Sequence, residues 1–199
     1  MKEAISMDFI ERRSQKNYRC LLQALSRPGR VVRLKALDGM SPFAAATAFA
    51  ECLLDAEVGF CVIGNGSAQA LQTAIAGATG ARTEPLEAAD FVFYSEGRSR
   101  DGVRLVRRGG SECPEDGATV VYCLDSPPAA VAERFRVRLT GPGIPGAGGI
   151  APEMGGIAIE EFQELMAVNA DYPLGVDAFF VRPSGEVMGL PRSTRIQVR

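Results

Sequence analysis

The residues best placed for chemistry lie in one glycine-rich stretch and in the segment before it. Residues 141–149 read GPGIPGAGG, and the first six match the G-x-G-x-x-G pattern of a dinucleotide-binding loop. Arg138 and Thr140 come just before this stretch. An arginine, a hydroxyl and the backbone N–H groups of Gly141 and Gly143 could together bind an anion, because successive N–H groups form anion-binding nests. The alternative is a connecting loop whose glycines only provide positive φ angles.

The dinucleotide interpretation fails on the sequence around the motif. A pyrophosphate-binding loop opens a helix whose N-terminus meets the ligand. Pro142 and Pro145 lie inside the motif, and no helix can begin before about residue 156. The acidic residue that should follow a second strand is missing, since Glu160, Glu161 and Glu164 fall within a predicted helix. The stretch therefore predicts a proline-stiffened loop, with the anion nest and the plain connection both open.

Other kinds of catalytic site are restricted by what the sequence lacks. It contains no histidine, which excludes Ser-His-Asp and Cys-His catalysis, HExxH zinc sites and the facial-triad iron site. General acid–base chemistry would fall to Asp, Glu, Tyr or Cys, and none of the lysines (Lys2, Lys16 and Lys35) has the context of a Schiff-base residue. The five cysteines form no CxxC, so we predict buried reduced thiols and no metal site. We assign no catalytic residue.

Three further stretches could bind anions. Residues 98–108 carry five arginines, which could form an anion-binding face or a solvated helix or turn. GNGS at 64–67 follows a predicted strand, but it lacks the GK[ST] ending of a phosphate-binding loop. Alternation in the strand before the glycine loop places three arginines on one face, which could be solvated, bind an anion or meet another subunit: Arg134, Arg136 and Arg138.

The elements that would position these residues alternate along the chain. Hydrophobic spacing predicts helices at 8–26 and 157–168. Cap residues predict two more: one that begins with Ser41 as N-cap and Pro42 as N1, and one at 68–77 with Ser67 as N-cap. Strands are predicted at 30–34, 58–63, 91–94, 118–124, 135–139, 176–182 and 187–190, with a break at 126–128 and the tail as another short strand. This order predicts one α/β domain over residues 1–199, with a mixed sheet flanked by helices.

Composition excludes some classes of partner. The net charge is −2, whereas nucleic-acid-binding proteins are usually basic, so we expect no nucleic-acid partner. No apolar run approaches the ~20 residues of a membrane helix, so we expect no membrane partner. The N-terminus MKEAISMDFIERRSQ carries charges where a signal peptide needs an apolar core, which predicts a cytoplasmic protein.

Five segments, in order along almost the whole chain, resemble one family. They are Tyr18-Arg19 followed by LLQALSRPG (21–29), PEDGATVVYCL (114–124), RLTGPGI (138–144), YPLGVDAFFV (172–181) and GLPRSTRIQV (189–198). Each segment alone is unspecific, but the ordered set resembles the PhnH subunit of bacterial carbon–phosphorus lyase. The chain departs from the family pattern in its longer glycine stretch at Gly146–Gly149 and in the arginine-rich 98–108 segment.

The resemblance implies a fold similar to the large domain of pyridoxal-phosphate-dependent transferases, without that cofactor or its lysine. It implies a homodimer in a core complex with PhnG-, PhnI- and PhnJ-type subunits. With PhnG-, PhnI- and PhnL-type subunits, the family takes part in forming ribose 1-phosphonate 5-triphosphate from ATP and an alkylphosphonate, with release of adenine. ATP and phosphonate would thus be substrates of a transferase complex, and the isolated chain would be inactive. The alternative is a non-catalytic dimeric scaffold that positions the catalytic subunits.

The resemblance also marks candidate ligand-binding residues. Positions that match the family motifs are carried over as such candidates: Arg138, Thr140, Gly141, Gly143, Asp177, Arg192 and Thr194. Cleavage of the carbon–phosphorus bond belongs to the family's radical iron–sulfur subunit. The cysteines of this chain show no cluster spacing, so we do not expect it to perform that step.

Overall fold

The computed structural model describes residues 7–35, 41–124 and 134–198, with side chains from residue 11 onward. The predicted break at 126–128 lies outside these residues. The described part contains four α-helices: α1 Met7–Ser26, α2 Ala44–Leu53, α3 Ala68–Thr79 and α4 Ile159–Val168. None of these helices has the length and apolar character that a membrane crossing requires.

The described strands form two sheets. They are β1 Val31–Arg33, β2 Gly59–Ile63, β3 Arg82–Thr83, β4 Phe91–Tyr94, β5 Thr119–Cys123, β6 Phe135–Thr140, β7 Glu153–Met154, β8 Asp177–Val181, β9 Glu186–Leu190 and β10 Arg195–Val198. All the strands predicted from the sequence are present. The two-residue strands β3 and β7 were not predicted, because two residues are too short to show an alternation.

The large sheet has seven strands in the order β1-β9-β8-β5-β4-β2-β3. Strands β3, β2, β4, β5 and β8 run parallel, whereas β9 is antiparallel to β8 and β1 is antiparallel to β9. The β8–β9 hairpin turns where Arg182 N–H donates to the Glu186 carbonyl at 2.9 Å, as the Pro-Ser-Gly turn predicted. The prediction of a single α/β domain with a mixed sheet is thus confirmed.

A smaller antiparallel sheet, in the order β10-β6-β7, was not predicted. Its strand β6 has the predicted alternation, with Val137 and Leu139 fully buried and Arg136 exposed. Strand β10 is the predicted short strand of the tail. A strand's periodicity shows which side is buried but not which sheet it joins, so the second sheet could not be read from the sequence.

Alternate residues of the large sheet face two separate hydrophobic layers. On one face Phe93, Val121 and Phe179 pack beneath α1, α2 and α3. On the other face Tyr94, Tyr122 and Phe180 pack beneath α4 and the small sheet. Because both faces are covered, the central strands are nearly continuous apolar runs, as expected for parallel strands. The loops at the sheet edges therefore carry the polar residues that remain accessible.

Three predicted helix starts differ in detail from the structure. Helix α2 begins at Ala44 rather than at Pro42, although the Ser41 hydroxyl still accepts a hydrogen bond from Phe43 N–H at 3.2 Å. Ser67 precedes α3 as predicted, but its hydroxyl pairs with the hydroxyl of Ser95 at 3.2 Å and makes no cap hydrogen bond. Helix α4 begins two residues later than predicted, at Ile159.

Candidate functional site

The glycine loop, residues 141–149, is closed at its base by hydrogen bonds between the residues that flank it. Leu139 N–H donates to the Ile150 carbonyl at 2.8 Å, and Ile150 N–H donates back at 3.0 Å. Arg138 Nε donates to the Gly148 carbonyl at 3.0 Å across the loop. The turn hydrogen bonds inside the loop use the amides of Ile144 and Gly149, not those of Gly141 and Gly143. The loop is therefore a constrained structure in which Gly141 and Gly143 are exposed.

No helix follows the loop directly, since the next helix begins only at Ile159. A dinucleotide pyrophosphate would need a helix N-terminus within the motif. Exclusion of the dinucleotide interpretation is thus confirmed by the fold.

The carboxyl end of α1 packs against this loop. Gly143 has a φ of +77°, and a Cβ there would overlap the carbonyl oxygen of Ser26, the last residue of α1. On the other side of the contact, a Cβ at Gly29 would lie 2.5 Å from Cδ1 of Ile150. Both contacts need glycine, so two segments that are more than a hundred residues apart in the chain meet at close range. Ser26, Gly29 and Gly143 belong to two of the five ordered segments of the sequence, and Ile150 follows the second of these.

A cavity of about 550 Å³ opens beside this contact. Its described lining comes from the two segments alone: Arg27, Pro28, Gly29, Arg30, Gly143, Ile144, Pro145 and Ile150. Among these, Arg27 and Arg30 are the ionisable residues, and neither forms an ion pair with a described residue. The cavity combines an apolar wall with cationic groups and has no described acid or base to transfer a proton. It is suited to binding an anionic group rather than to bond-making.

Arg27 and Arg30 were not predicted as functional residues. The sequence analysis treated Ser26-Arg27-Pro28-Gly29 only as the end of a helix, which is the structural role that proline and glycine have there. The position of Arg27 just after α1 also favours a cation, because the helix dipole is negative at its carboxyl end. Only the contact with the glycine loop shows that the two arginines line a cavity. The signal that could have found it is the presence of both segments in the family-like set.

The turn at 191–194 connects the loop to the rest of the candidate residues. Thr194 N–H donates to the Pro191 carbonyl at 2.8 Å, and a Cβ at Gly141 would lie 3.1 Å from the Ser193 carbonyl oxygen. Thr194 is buried, and its hydroxyl has no hydrogen-bond partner in the described parts of the chain. Thr140 pairs with Arg195 at the end of the β6–β10 ladder. The structure thus brings Arg138, Thr140, Gly141, Gly143 and Thr194 into one region.

Asp177 and Arg192 lie on the other side of that turn, where they hold the fold together. Arg192 donates to Asp177 twice, from its backbone N–H at 2.8 Å and from Nη2 at 3.0 Å. Its Nη1 donates to the Pro114 carbonyl at 2.6 Å. These contacts join β8 and the residue after β9 to the 114–117 turn. Because the donors of Arg192 are already used inside the protein, we assign the pair a structural role and not a ligand contact.

The arginine-rich segment 98–108 forms a loop with one 3₁₀ turn, at Gly102–Arg104. Three of its arginines are held in ion pairs: Arg100 with Glu96, Arg104 with Glu164, and Arg107 with Asp90. The hydrogen bond from Arg104 lowers the pKa of the Glu164 carboxyl. These pairs neutralise much of the charge on the segment, which favours the solvated-turn interpretation over an anion-binding face.

The GNGS loop at 64–67 carries an acidic side chain where a phosphate-binding loop would hold its ligand. Asn65 N–H donates to a carboxylate oxygen of Glu96 at 3.1 Å. Gly64 lies so close to Ser95 that a Cβ would overlap the serine hydroxyl. A phosphate would face the Glu96 charge at this position. The loop therefore has a structural role.

In the described residues, no group of three or more His, Cys, Asp or Glu side chains is arranged to hold a metal ion. The five cysteines form no disulfide with one another, and Cys113 is the exposed one among them. Burial raises the pKa of Cys52 to about 11, with a further contribution from Glu51. The prediction of buried thiols is wrong for Cys113, which is exposed, and the other four cysteines are partly rather than fully buried.

Comparison with known proteins gives a family and a named relative. The model of the family described as "Bacterial phosphonate metabolism protein (PhnH)" matches residues 8–197. A protein of Stutzerimonas stutzeri named "Putative C-P lyase subunit protein HtxG" is 35% identical over 192 residues, covering 94% of this chain and 87% of that protein. The family match includes the two segments that form the cavity, the 191–194 turn and the Asp177–Arg192 pair.

Proposed function

The chain belongs to the PhnH family of bacterial phosphonate metabolism proteins, and from that membership we propose the step in which it acts. As a subunit of the carbon–phosphorus lyase system, it works with PhnG-, PhnI- and PhnL-type subunits to join an alkylphosphonate to the ribose of ATP. A phosphonate oxygen forms the new bond to C1′ of the ribose while the bond to N9 of adenine breaks. The products are adenine and ribose 1-phosphonate 5-triphosphate. The match over residues 8–197 is the observation that carries this proposal.

In that step, we assign this chain a binding role. The cavity beside the glycine loop offers Arg27 and Arg30, and its described lining lacks a general acid or base. Both substrates are anionic. The arginines suit their phosphate or phosphonate groups, and the apolar wall suits the attached carbon skeleton. Gly143 lines the cavity, and the adjoining Gly141 and Thr140 add an amide and a hydroxyl as hydrogen-bonding groups near it. The isolated chain would accordingly be inactive.

Omitting the chain tests its participation. The PhnG-, PhnI- and PhnL-type subunits would be purified with and without this chain, and adenine released from ATP and methylphosphonate would be measured by chromatography. We expect adenine release only with the chain present. Equal release in both preparations would contradict the proposal.

Arg138→Ala tests the binding role. We expect the assembled complex to bind ATP or phosphonate more weakly by about 1.5–3 kcal/mol, the scale of a charged hydrogen bond. Isothermal titration of the complex would measure this loss. Arg136→Ala is the matched control, because Arg136 lies on the same face of β6 and is exposed. Equal affinity of Arg138→Ala and wild type would remove Arg138 from the site.

The alternative is a non-catalytic scaffold that only positions the other subunits. The use of Arg192 and of most arginines of 98–108 in internal contacts favours it, since fewer cations are left for a ligand. The double variant Arg27→Ala/Arg30→Ala distinguishes the two roles. Loss of adenine release with an intact complex supports ligand binding, whereas intact release in an intact complex supports the scaffold.

We further propose that the chain forms a homodimer, assembles with PhnG-, PhnI- and PhnJ-type subunits, and works in the cytoplasm. Its fold would resemble the large domain of pyridoxal-phosphate-dependent transferases without binding that cofactor. Light scattering after size-exclusion chromatography measures the dimer, and co-purification with tagged partners measures the assembly. Pyridoxal phosphate should show no saturable, high-affinity change in its absorption spectrum, because neither Lys16 nor Lys35 is among the described residues that line the cavity.

A further inference from the structure

Four buried polar side chains meet at the carboxyl ends of β4 and β5, away from the cavity lining. Tyr94 is the last residue of β4, and its Cα partner in the parallel ladder is Tyr122 of β5. The two rings lie side by side, with centroids 5.1 Å apart. Ser99 comes from the loop that follows β4, and Glu161 comes from the first turn of α4. We call these four residues the tyrosine–glutamate cluster.

Hydrogen bonding inside the cluster is incomplete. Ser99 N–H donates to Glu161 Oε1 at 3.0 Å, which fixes the start of α4 to the loop. The other carboxylate oxygen of Glu161, the Ser99 hydroxyl and both tyrosine hydroxyls have no hydrogen-bond partner in the parts of the chain that the structure describes. The exposed fractions are 0% for both tyrosines, 1% for Ser99 and 7% for Glu161, so bulk water does not satisfy these atoms.

Four unsatisfied polar atoms in one place are exceptional in a folded protein. More than nine-tenths of buried polar groups have a partner, and each exception destabilises the folded state. A carboxylate oxygen is especially costly to leave without a donor. The cluster therefore needs hydrogen-bonding partners that its own side chains do not provide in this geometry.

The unsatisfied atoms also lie near one another. Burial raises the pKa of Tyr122, the charge of Glu161 and the neighbouring Tyr94 raise it further, and hydrogen-bonding contacts with Glu161 and Ser99 raise and lower it respectively. Burial and the charge of Glu161 likewise raise the pKa of Tyr94. Glu161 and Ser99 are thus close enough to act on a tyrosine hydroxyl, yet no hydrogen bond of normal geometry joins them to it.

We propose that the tyrosine–glutamate cluster binds an internal water molecule. A water molecule has two donors and two acceptor positions, which match the four groups. It accepts hydrogen bonds from the hydroxyls of Tyr94 and Tyr122 and donates to Glu161 Oε2 and to the Ser99 hydroxyl oxygen. Buried waters typically make about three such bonds to groups that would otherwise be unsatisfied. The water connects the arginine-rich loop, α4 and two strands of the large sheet.

A crystal structure at 1.8 Å or better, a resolution of the order needed to place ordered water, tests the site directly. We expect a density peak about 2.6–3.2 Å from at least three of the four oxygen atoms. A dry cluster in which Tyr122 donates directly to Glu161 would overturn the proposal. A peak at about 2.0–2.5 Å from the oxygens would also overturn it, because that spacing indicates a metal cation.

A double-mutant cycle tests the same site in solution. Tyr94→Phe and Ser99→Ala each remove one hydroxyl, and the proposal links these two hydroxyls only through the shared water. We expect the effects of the two changes on the unfolding equilibrium constant to depart from simple multiplication by about twofold or more. Urea unfolding of the four proteins measures this departure.

The control cycle pairs Ser99→Ala with Tyr172→Phe. Tyr172 is 64% exposed, and its hydroxyl lies in bulk water. The factors by which these two substitutions change the unfolding equilibrium constant should multiply within error. If the factors for Tyr94→Phe and Ser99→Ala also multiply within error, the two hydroxyls share no water and the proposal is wrong.

Discussion

At the scale of single residues, the arginines differ in how their donors are used. Arg192 donates to Asp177 and to the Pro114 carbonyl, and Arg138 uses Nε to hold the glycine loop. Arg27 and Arg30 border the cavity without a described ion-pair partner. An arginine whose donors are used in internal contacts has fewer left for a ligand. The capacity to bind an anion therefore lies mainly with Arg27 and Arg30. The residue type alone does not distinguish these arginines from one another.

The glycines of the loop differ in their surroundings, and a matched pair of variants separates the cost of the backbone conformation from the cost of a close contact. Gly143 and Gly146 have nearly equal φ angles of +77° and +78°, but a Cβ at Gly146 meets nothing within 4 Å. Gly146→Ala should therefore lower the free energy of unfolding by about 1–2 kcal/mol, the cost of a left-handed backbone. Gly143→Ala should cost about 1–3 kcal/mol more, because its Cβ also overlaps the Ser26 carbonyl. Equal urea midpoints for the two variants would contradict the close contact with α1.

At the scale of elements, two connections define the candidate region. The carboxyl end of α1 packs against the loop after β6, and the turn after β9 packs against both Gly141 and the residues before β5. Strand β6 belongs to the small sheet, whereas β5, β8 and β9 belong to the large one. The 191–194 turn thus lies where the two sheets are joined. The Asp177–Arg192 pair stabilises this junction.

Loss of that pair should be more costly than loss of an exposed one. The Arg192 and Asp177 side chains are 13% and 27% exposed, against 69% and 46% for Arg134 and Glu153. Arg192→Ala should lower the free energy of unfolding by about 2–3 kcal/mol, below the ~3–5 kcal/mol of a fully buried pair. Arg134→Ala should cost less than about 1 kcal/mol.

Chemical denaturation measures both variants. A similar small loss for Arg192→Ala and Arg134→Ala would show that the Asp177 pair does not stabilise the junction. Binding of ATP to the assembled complex should be unchanged by Arg134→Ala, because Arg134 pairs with Glu153 on the side of β6 that adjoins β7.

At the scale of the whole molecule, both faces of the large sheet are covered, and this burial extends to groups that can ionise. Cys52 lies between α1 and α2, where its thiol donates to the carbonyls of Ala48 and Ser14. Tyr94 and Tyr122 lie on the opposite face, beneath α4. All three groups are held in the neutral form, since burial is the largest cause of each raised pKa. Ionisation of any of them opposes the packed structure.

The protein should therefore lose stability in alkaline solution. The ordinary pKa is 9.0 for Cys52 and 10.0 for the tyrosines, and each is higher in the folded state. In this range the folded protein keeps protons that the unfolded chain releases, so the free energy of unfolding falls as the pH rises above about 9. Between pH 7 and 8.5, the three groups should hardly change the free energy of unfolding, because they stay protonated in both states.

Urea unfolding at pH 8, 9.5 and 10.5, spanning those pKa values, measures the fall. Cys52→Ala should make the decline between pH 9 and 10.5 shallower, and Tyr122→Phe should do so above pH 10. Cys113→Ala is the control, because Cys113 is exposed. A free energy of unfolding that stays level up to pH 10.5 would contradict the burial of these groups.

The sequence by itself determined the order of elements, the fold class and the family. Continuous apolar runs such as Phe91–Tyr94 specify strands buried on both faces, and Pro-Gly or Pro-Ser-Gly turns specify where elements end. Pro142, Pro145 and the distance to α4 were enough to exclude a dinucleotide loop, because backbone geometry is a local property. The five ordered segments were enough to indicate the family that the comparisons then showed.

Only the tertiary structure decided which of the candidate residues lie together and which remain accessible. It separated Asp177 and Arg192, whose hydrogen bonds are made inside the protein, from the residues at the glycine loop. It added Arg27 and Arg30, and it joined β6 to a second sheet. The physical reason is that hydrogen-bond partners and burial depend on contacts between distant segments, which local spacing does not encode. Gly143 shows this plainly, because its need for glycine comes partly from the Ser26 carbonyl at the end of another element.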